Sequence, residues 1–207
     1  VHAIGSEPGP EAQSTAGDPR RAPGQRIVTM LFADAVGFSR LDDAGVKLFV
    51  QEFWGRVAKT LSALPTGAVL FANTWGDGLF LVFADTADGA RIAVAISEMV
   101  RGTDWNATGL PPETSMRIAL HAGPAYEVND PVTERPGFAG MHVSRAARIE
   151  PVTPPGLVYT SEAFAALLAL DQAGEEFRCE YVGTVPLAKG YGRMRTYSLA
   201  RIADAGG

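Results

Sequence analysis

The fold of this chain is decided by a stretch near its N-terminal end, IVTMLFADAVGFSRL at residues 27–41. Its opening residues, 27–33, are a short apolar run of the kind that forms a strand buried in a sheet. Asp34 follows the run directly and precedes a turn that contains glycine, at residues 35–39. The stretch therefore predicts a buried strand that carries a carboxylate to one edge of a sheet.

Helix-like and strand-like segments alternate after this strand. Apolar residues at helical spacing predict helices over 42–64 and 85–100. Strands are predicted over 68–71 and 79–83, and the Asp-Gly pair at 77–78 is a strong hairpin signal. Further strands are predicted over 115–121, 157–160 and within 177–199, and further helices over 140–149 and 161–170. This order predicts an α+β fold in which helices cover one face of a mostly antiparallel sheet.

Composition separates the ends of the chain from its centre. Residues 1–25 are rich in Pro, Gly, Ala and small polar residues without periodicity, which predicts a flexible linker or arm. The globular domain is expected over 26–200, with a tail over 201–207. The chain begins with Val rather than Met, which favours a fragment of a longer polypeptide.

The overall composition excludes several classes of function. The 207 residues are 46% hydrophobic and 20% charged, which is typical of one soluble globular domain. The formal net charge of −5 argues against a nucleic-acid or anionic-membrane partner, because such binders carry a basic surface. Cys179 is the single cysteine, so no internal disulfide can form, and a reducing cytoplasm is the expected location. We therefore expect a cytoplasmic domain that acts on small molecules or on other proteins.

Two aspartates, Asp34 and Asp77, stand at predicted strand ends in turns that contain glycine. If the first strand lies beside the hairpin, their carboxylates converge on one sheet edge. Two carboxylates with open positions suit Mg²⁺ or Mn²⁺ when phosphate oxygens supply the other ligands. The segment 35–39 would then offer backbone N–H groups and the Ser39 hydroxyl to phosphates. Taken alone, each aspartate is more simply explained by local structure, Asp77 as a turn residue and Asp34 as a helix cap.

Five sequence blocks stand in order along the chain. They are LFADAVGFSRL (31–41), TWGDGLFLVF (74–83), MRIALHAGP (116–124), HVSRAARIEPVTPPGLVYTS (142–161) and LAKGYGRMRTY (187–197). Together they resemble the catalytic domain of class III nucleotidyl cyclases, the adenylate/guanylate cyclase superfamily, from about residue 26 to 199. The resemblance implies a ferredoxin-like α+β fold and a head-to-tail homodimer. The residues of these blocks look most like those of cyclase-type domains that follow TPR-like regions in bacterial multidomain proteins. This resemblance implies a regulatory domain on the same longer polypeptide.

The resemblance also implies roles for individual residues. Asp34 and Asp77 match the two metal-binding aspartates, which with Ala35 would hold two Mg²⁺ or Mn²⁺ ions per site. Arg148 matches an arginine that stabilises charge developing on the α-phosphate. The residues that match groups facing the phosphates of a nucleoside triphosphate are Phe38, Ser39, Arg117 and Lys189.

Three positions depart from the family pattern. Asn73 stands where purine cyclases carry Lys or Glu, and Gly137 stands where they carry an acidic or small polar partner, so the pair that reads adenine is absent. The Asn73 amide both donates and accepts hydrogen bonds, which suits the N3–O4 edge of uracil as well as adenine. Ser144 replaces the transition-state asparagine, and loss of one such donor costs roughly 10²–10³ in rate.

Two functions are consistent with these residues. The first is a cyclase that makes a 3′,5′-cyclic nucleotide and pyrophosphate with a rebuilt base pocket for UTP or CTP, similar to the pyrimidine (Pycsar-type) cyclases of bacterial antiviral defence. The alternative is a catalytically silent cyclase-homology domain that acts as a nucleotide-binding or dimerisation module in signalling. The joint presence of the matched aspartates and basic residues favours activity.

Two histidines lie inside the predicted domain. His121 ends an apolar strand and is expected to be a hydrogen-bonded core histidine. His142 lies two residues into a predicted helix, where it either caps the helix or contacts substrate.

Overall fold

The computed structural model describes residues 24–202, so the arm predicted over 1–25 and the tail predicted over 201–207 lie almost entirely outside the described residues. The strands are β1 (Gln25–Val36), β2 (Val69–Trp75), β3 (Gly78–Phe83), β4 (Ser115–Asp130), β5 (Arg135–Ala139), β6 (Val158–Ser161), β7 (Phe177–Pro186) and β8 (Arg193–Arg201). They form one sheet of order β2-β3-β1-β4-β6-β8-β7, with β5 paired to β4. Only β4 and β6 pair in parallel, so the sheet is mostly antiparallel, as predicted.

The helices are α1 (Asp43–Phe49), α2 (Gly55–Leu61), α3 (Thr86–Gly102), α4 (Trp105–Thr108), α5 (Met141–Ile149) and α6 (Glu162–Leu168). A π turn, Val50–Trp54, joins α1 to α2 with helical backbone angles on both sides, so the helix predicted over 42–64 is one rod with a widened middle turn. Single turns of 3₁₀ helix include Phe38–Arg40, Glu150–Val152 and Ala188–Gly190. Within residues 24–202, no helix is long and apolar enough to cross a membrane.

Helices pack on both faces of the sheet. Successive side chains of a strand point to opposite faces, and β1 is apolar at both sets of positions. Leu31 and Ala33 join the larger core, which contains residues of α1, α2, α3 and α6. Val28 and Met30 face the other way and pack with Ala146 of α5. The prediction that helices cover only one face is therefore wrong for α5, because the second apolar face of β1 also needs cover.

The β2–β3 hairpin is tighter than predicted. β2 runs to Trp75, which pairs with Gly78, so the turn consists of Gly76 and Asp77 alone. Gly76 has φ of 60°, in the left-handed region that such two-residue turns require. The hairpin signal therefore predicted the turn to within one residue: the turn residues are Gly76 and Asp77 rather than Asp77 and Gly78, because Gly78 already pairs with Trp75. β2 is also longer than predicted, because its second half is exposed and carries little apolar pattern.

The β4–β5 arm was not predicted. β4 continues to Asp130, well beyond the predicted end of the strand at residue 121, and β5 pairs with its second half. The side chains over 127–136 are exposed, so neither strand shows the alternation that a half-buried strand would show. The short helix α4 was also missed.

Candidate active site

Strand pairing brings the two predicted metal ligands to one edge of the sheet. In the register of β1, Asp34 lies opposite Gly78 of β3 on one side and Arg117 of β4 on the other. The Ala35 N–H donates to the Asp77 carbonyl at 3.0 Å, which fixes the hairpin turn against the end of β1. We call this edge, with the side chains of Asp34, Asp77 and Arg117, the acidic edge.

Arg117 is held between two carboxylates. Its Nη2 donates to Oδ2 of Asp34, and its Nε lies 2.9 Å from Oε1 of Glu150, which opens the 3₁₀ turn after α5. The second contact has the distance of an ion pair but not the alignment of a hydrogen bond, so Arg117 Nε and Glu150 Oε1 are both buried without a hydrogen-bond partner. The guanidinium therefore links β1, β4 and the end of α5.

Negative charge is in excess at the acidic edge. Burial raises the pKa of Asp77, and the nearby Asp34 carboxylate raises it further, while a backbone hydrogen bond and Arg117 oppose the shift. Burial also raises the pKa of Glu150 to about 7; Arg117 opposes this shift, and Asp34 and Asp77 add to it. Three carboxylates thus share one guanidinium, and a further cation would relieve their mutual repulsion.

The acidic edge offers oxygen ligands to a divalent cation whose remaining ligands come from water or from phosphate. Within residues 24–202, no group of three or more His, Cys, Asp or Glu side chains surrounds a metal position. Asp34 already contacts a cationic group, the Arg117 guanidinium, so its carboxylate faces a place that accepts positive charge. Two carboxylates are hard oxygen donors of the kind that Mg²⁺ and Mn²⁺ prefer, with phosphate oxygens completing the shell. A ligand from Ala35 would be its carbonyl oxygen, because its N–H donates to Asp77.

The turn after β1 lies beside the acidic edge. Gly37 has φ of 93°, and the 3₁₀ turn Phe38–Arg40 follows it. Phe38 packs edge-on against Phe49, with 4.9 Å between the ring centres, whereas Ser39 is exposed. The loop is thus anchored by an aromatic contact and leaves a hydroxyl at the surface, which suits contact with a phosphate.

The β2–β3 turn is tied to the helical rod. The indole Nε1 of Trp54, the last residue of the π turn, donates to the Gly76 carbonyl at 3.0 Å. This contact fixes the turn that carries Asp77.

Asn73 and Gly137 lie together in a separate cleft. The cleft has a volume of about 940 Å³ and is bounded by β2, β3 and the β4–β5 arm. Phe71 and Phe138 meet in it at 6.2 Å between ring centres. A Cβ added at Gly137 would touch nothing within 4 Å, so the glycine leaves space rather than relieving a clash. The two positions that depart from the purine pattern therefore line one open pocket.

Ser144, Arg148 and Lys189 form a third group around α5. The Arg148 guanidinium lies 5.8 Å from the centre of the Tyr191 ring, and its Nε is buried without a hydrogen-bond partner. Ser144 and Lys189 are exposed, and Lys189 has φ of 57° in the turn before Tyr191. Within the described part of the chain, no hydrogen bond or ion pair joins this group to the acidic edge.

A pair of histidines, His121 buried and His142 half-buried, connects β4 to α5. His121 is 2% exposed; its Nδ1 lies 2.7 Å from Ser161 Oγ, and its Nε2 lies 2.8 Å from His142 Nδ1. Burial lowers the pKa of His121 to about 3, and burial with the Arg145 charge lowers the pKa of His142. His121 is the hydrogen-bonded core histidine that was predicted. His142 does not cap α5, whose N-cap residue is Gly140, but packs on His121 instead.

Sequence reasoning missed Glu150 and the contact between the two histidines. Glu150 stands two residues after Arg148 in the fourth block, but its partner Arg117 lies on a different strand and no local pattern links the two. The only available signal was a carboxylate at a helix end already rich in arginine.

Solved structures of adenylyl and guanylyl cyclases share this fold. The structure resembles adenylyl cyclase CyaB from P. aeruginosa with a TM-score of 0.74 and 16% identity, over 88% of this chain and 98% of that chain. It resembles the guanylate cyclase domain of RhGC from Catenaria anguillulae, solved in complex with GTP, with a TM-score of 0.67 and 21% identity, over 85% and 97%. These likenesses confirm the predicted fold class.

Two relatives found by sequence comparison are also named adenylate cyclases. The chain is 28% identical over 206 residues to the pH-sensitive adenylate cyclase MT1302 of Mycobacterium tuberculosis, covering 48% of that protein. It is 30% identical over 141 residues, 67% of the chain, to putative adenylate cyclase 3 of Rhizobium meliloti, covering 22% of that protein. The chain thus spans half or less of the curated relatives it matches. No protein-family model matches it.

Proposed function

We propose that this chain is a class III nucleotidyl cyclase domain that converts a nucleoside triphosphate into a 3′,5′-cyclic nucleotide and pyrophosphate. The observation that carries the proposal is the acidic edge, where Asp34, Asp77 and Arg117 converge in a fold shared with adenylyl and guanylyl cyclases. The similarity to two relatives named adenylate cyclases supports it.

The metal ligands in this proposal are Asp34, Asp77 and the Ala35 carbonyl. Two Mg²⁺ or Mn²⁺ ions held there would activate the ribose 3′-hydroxyl and neutralise the triphosphate. The two carboxylates position these charges at the end of a buried strand and in a two-residue turn, both of which are fixed by backbone pairing. Such fixed donors need little reorganisation as charge develops in the reaction.

The phosphate contacts come from positively charged and polar groups on several elements. Arg117 offers a planar fork that matches phosphate geometry, and the turn with Phe38 and Ser39 offers backbone N–H groups and a hydroxyl. Arg148 and Lys189 would meet the α-phosphate and the departing pyrophosphate. Because this second pair is not linked to the acidic edge within one chain, we propose that a second copy, packed head-to-tail, supplies it.

The base pocket in this proposal is the cleft of Asn73 and Gly137. The Asn73 amide can donate to and accept from one base edge, and Gly137 adds no polar group to oppose it. We therefore rank UTP above CTP, and CTP above ATP, as the substrate. The relation to pyrimidine cyclases of antiviral signalling, and the regulatory domain on a longer polypeptide, belong to the same proposal.

The experiment incubates the protein with Mn²⁺ and an equal mixture of ATP, GTP, CTP and UTP and identifies the products by mass spectrometry. The Asp34→Asn variant removes one proposed ligand at nearly constant size, and Asp43→Asn is its matched control, since Asp43 is exposed in the first turn of α1. We expect one cyclic nucleotide from the wild type and from Asp43→Asn, and none from Asp34→Asn. Absence of any cyclic product from the dimeric wild type contradicts the proposal.

Ser144 favours a second candidate, the catalytically silent module. The serine side chain is shorter than the asparagine of the family pattern, so its hydroxyl reaches less far from α5, where it is exposed. A silent module predicts that Mn²⁺ and a nucleoside triphosphate raise the melting temperature, because a ligand that prefers the native state stabilises it, while no product forms.

A further inference from the structure

We propose that Glu150 is a positioning residue for Arg117, and that it keeps the guanidinium at the acidic edge when Asp34 exchanges Arg117 for a divalent cation. The inference rests on the proposed cyclase function and deepens it. Its physical basis is the arrangement of one guanidinium between two carboxylates that come from different parts of the fold.

The two carboxylates are not equivalent. Asp34 lies within β1, near its end, and belongs to the proposed metal site. Glu150 lies beyond α5 and within residues 24–202 completes no cluster of three metal-binding side chains. A carboxylate that ligates a cation has fewer oxygen lone pairs for a guanidinium, and the cation repels the guanidinium. Binding of the cation therefore weakens the Asp34–Arg117 pair and leaves the Glu150–Arg117 pair as the remaining anchor.

The two carboxylates contact different nitrogen atoms of the Arg117 guanidinium, which suits a permanent contact with Glu150 and a temporary one with Asp34. Glu150 contacts Nε, on the inner side of the guanidinium, while Asp34 contacts the terminal Nη2. Release from Asp34 frees Nη2 for phosphate, and contact at Nε leaves the outer fork open. Glu150 can thus hold the side chain without covering the nitrogen atoms that bind phosphate.

The Glu150 contact is also incomplete in this structure. Glu150 Oε1 and Arg117 Nε are buried at an ion-pair distance but are not aligned for a hydrogen bond. Buried polar atoms without partners are uncommon and costly, and each calls for a physical explanation. The proposal supplies that explanation: the pair gains its hydrogen bond when Arg117 leaves Asp34.

The test is a double-mutant cycle on Mn²⁺ binding, measured by electron paramagnetic resonance at pH 8 without nucleotide. The four proteins are the wild type, Glu150→Gln, Arg117→Gln and the double variant. Glu150→Gln leaves Arg117 dependent on Asp34, so we expect Mn²⁺ affinity to fall about 10-fold, the scale typical of groups that act through a neighbour. In the Arg117→Gln background the same change is expected to alter affinity less than about twofold, because Glu150 then has no guanidinium to hold.

Each other outcome overturns the positioning role. A loss that persists in the Arg117→Gln background makes Glu150 a direct ligand or a long-range charge. No change in Mn²⁺ affinity on Glu150→Gln means that Glu150 does not hold Arg117.

Glu150→Asp, which keeps the charge, is expected to recover part of the Mn²⁺ affinity. Melting temperatures check that every variant is folded. If the wild type binds Mn²⁺ and forms product while the cycle shows no coupling, only the positioning role fails; if the wild type binds no Mn²⁺ with or without nucleotide, the proposed function and this inference fail together.

Discussion

Gly123 allows the histidine pair to form, and Gly123→Ala tests that arrangement. A Cβ added at Gly123 would lie 2.2 Å from Nδ1 of His142 and 2.6 Å from its Cγ. Carbon and nitrogen atoms in contact normally lie about 3.5 Å apart, so the imidazole must move by about 1 Å or more. That movement breaks the 2.8 Å contact with His121 and leaves a buried ring nitrogen without its partner.

The expected cost combines overpacking with the lost hydrogen bond. Overpacking in a core costs about 1–3 kcal/mol, and an unsatisfied buried polar atom costs a similar amount. Because His142 is only half-buried, its ring can shift partly towards solvent, and we expect the lower part of the combined range. Gly123→Ala is thus expected to lower the free energy of unfolding by about 2–4 kcal/mol, measured by urea denaturation. For a domain of this size, such a change lowers the melting temperature by about 4–16 °C.

A second background separates the clash from a general intolerance of Ala at this position. His142→Ala removes the ring that the new Cβ would meet. In that background we expect Gly123→Ala to cost less than about 0.5 kcal/mol, so the two changes are strongly coupled. The reasoning is refuted if Gly123→Ala is as stable as the wild type, or if its cost is unchanged when His142 is absent.

Three further predictions concern the proposed cyclase activity and pH. Ser144→Asn supplies a longer amide donor on the exposed face of α5 and is expected to raise kcat roughly 10-fold or more, measured by initial rates with the preferred nucleotide. Mixing inactive Asp34→Asn and Arg148→Ala proteins is expected to restore about a quarter of wild-type activity, because half of the dimers then contain one intact site out of two; a mixture that stays inactive argues against shared sites. The folded protein keeps His121 neutral down to about pH 3, whereas in the unfolded chain this imidazole has its ordinary pKa of 6.5. Stability is therefore expected to fall as pH decreases from 6.5 towards 3, and His121→Gln is expected to flatten this dependence in urea titrations at pH 7 and 5.

The central strand and the acidic edge could be predicted because their signals are local. The apolar run before Asp34 marks a buried strand, and the Asp77-Gly78 pair marks a hairpin turn. The sequence does not say which strand of the hairpin lies beside β1; the structure pairs β1 with β3 rather than with β2, and this pairing brings the two carboxylates together. Two short stretches of sequence are thus enough to predict that both carboxylates stand at strand ends.

The remaining features depend on contacts between distant residues. β5 carries Pro136 and Gly137 and is largely exposed, so nothing in its composition marks it as a strand until β4 is beside it. Glu150 gains its significance only from Arg117 on another strand. The orientation of His142 depends on the missing Cβ of Gly123, which no helical periodicity can express.

The π turn has a consequence for how the length of a helix controls the position of a loop. The π turn fits five residues into roughly the rotation that four residues make in an α-helix, at about 100° each, so the extra residue is taken up locally and the rod stays helical on both sides. The turn ends at Trp54, whose indole donates to the Gly76 carbonyl. Removing one residue from Val50–Trp54 would convert the π turn to ordinary helix and leave the indole aimed close to its present direction, so the contact with the carboxylate turn tolerates a change of one residue in the length of this helix.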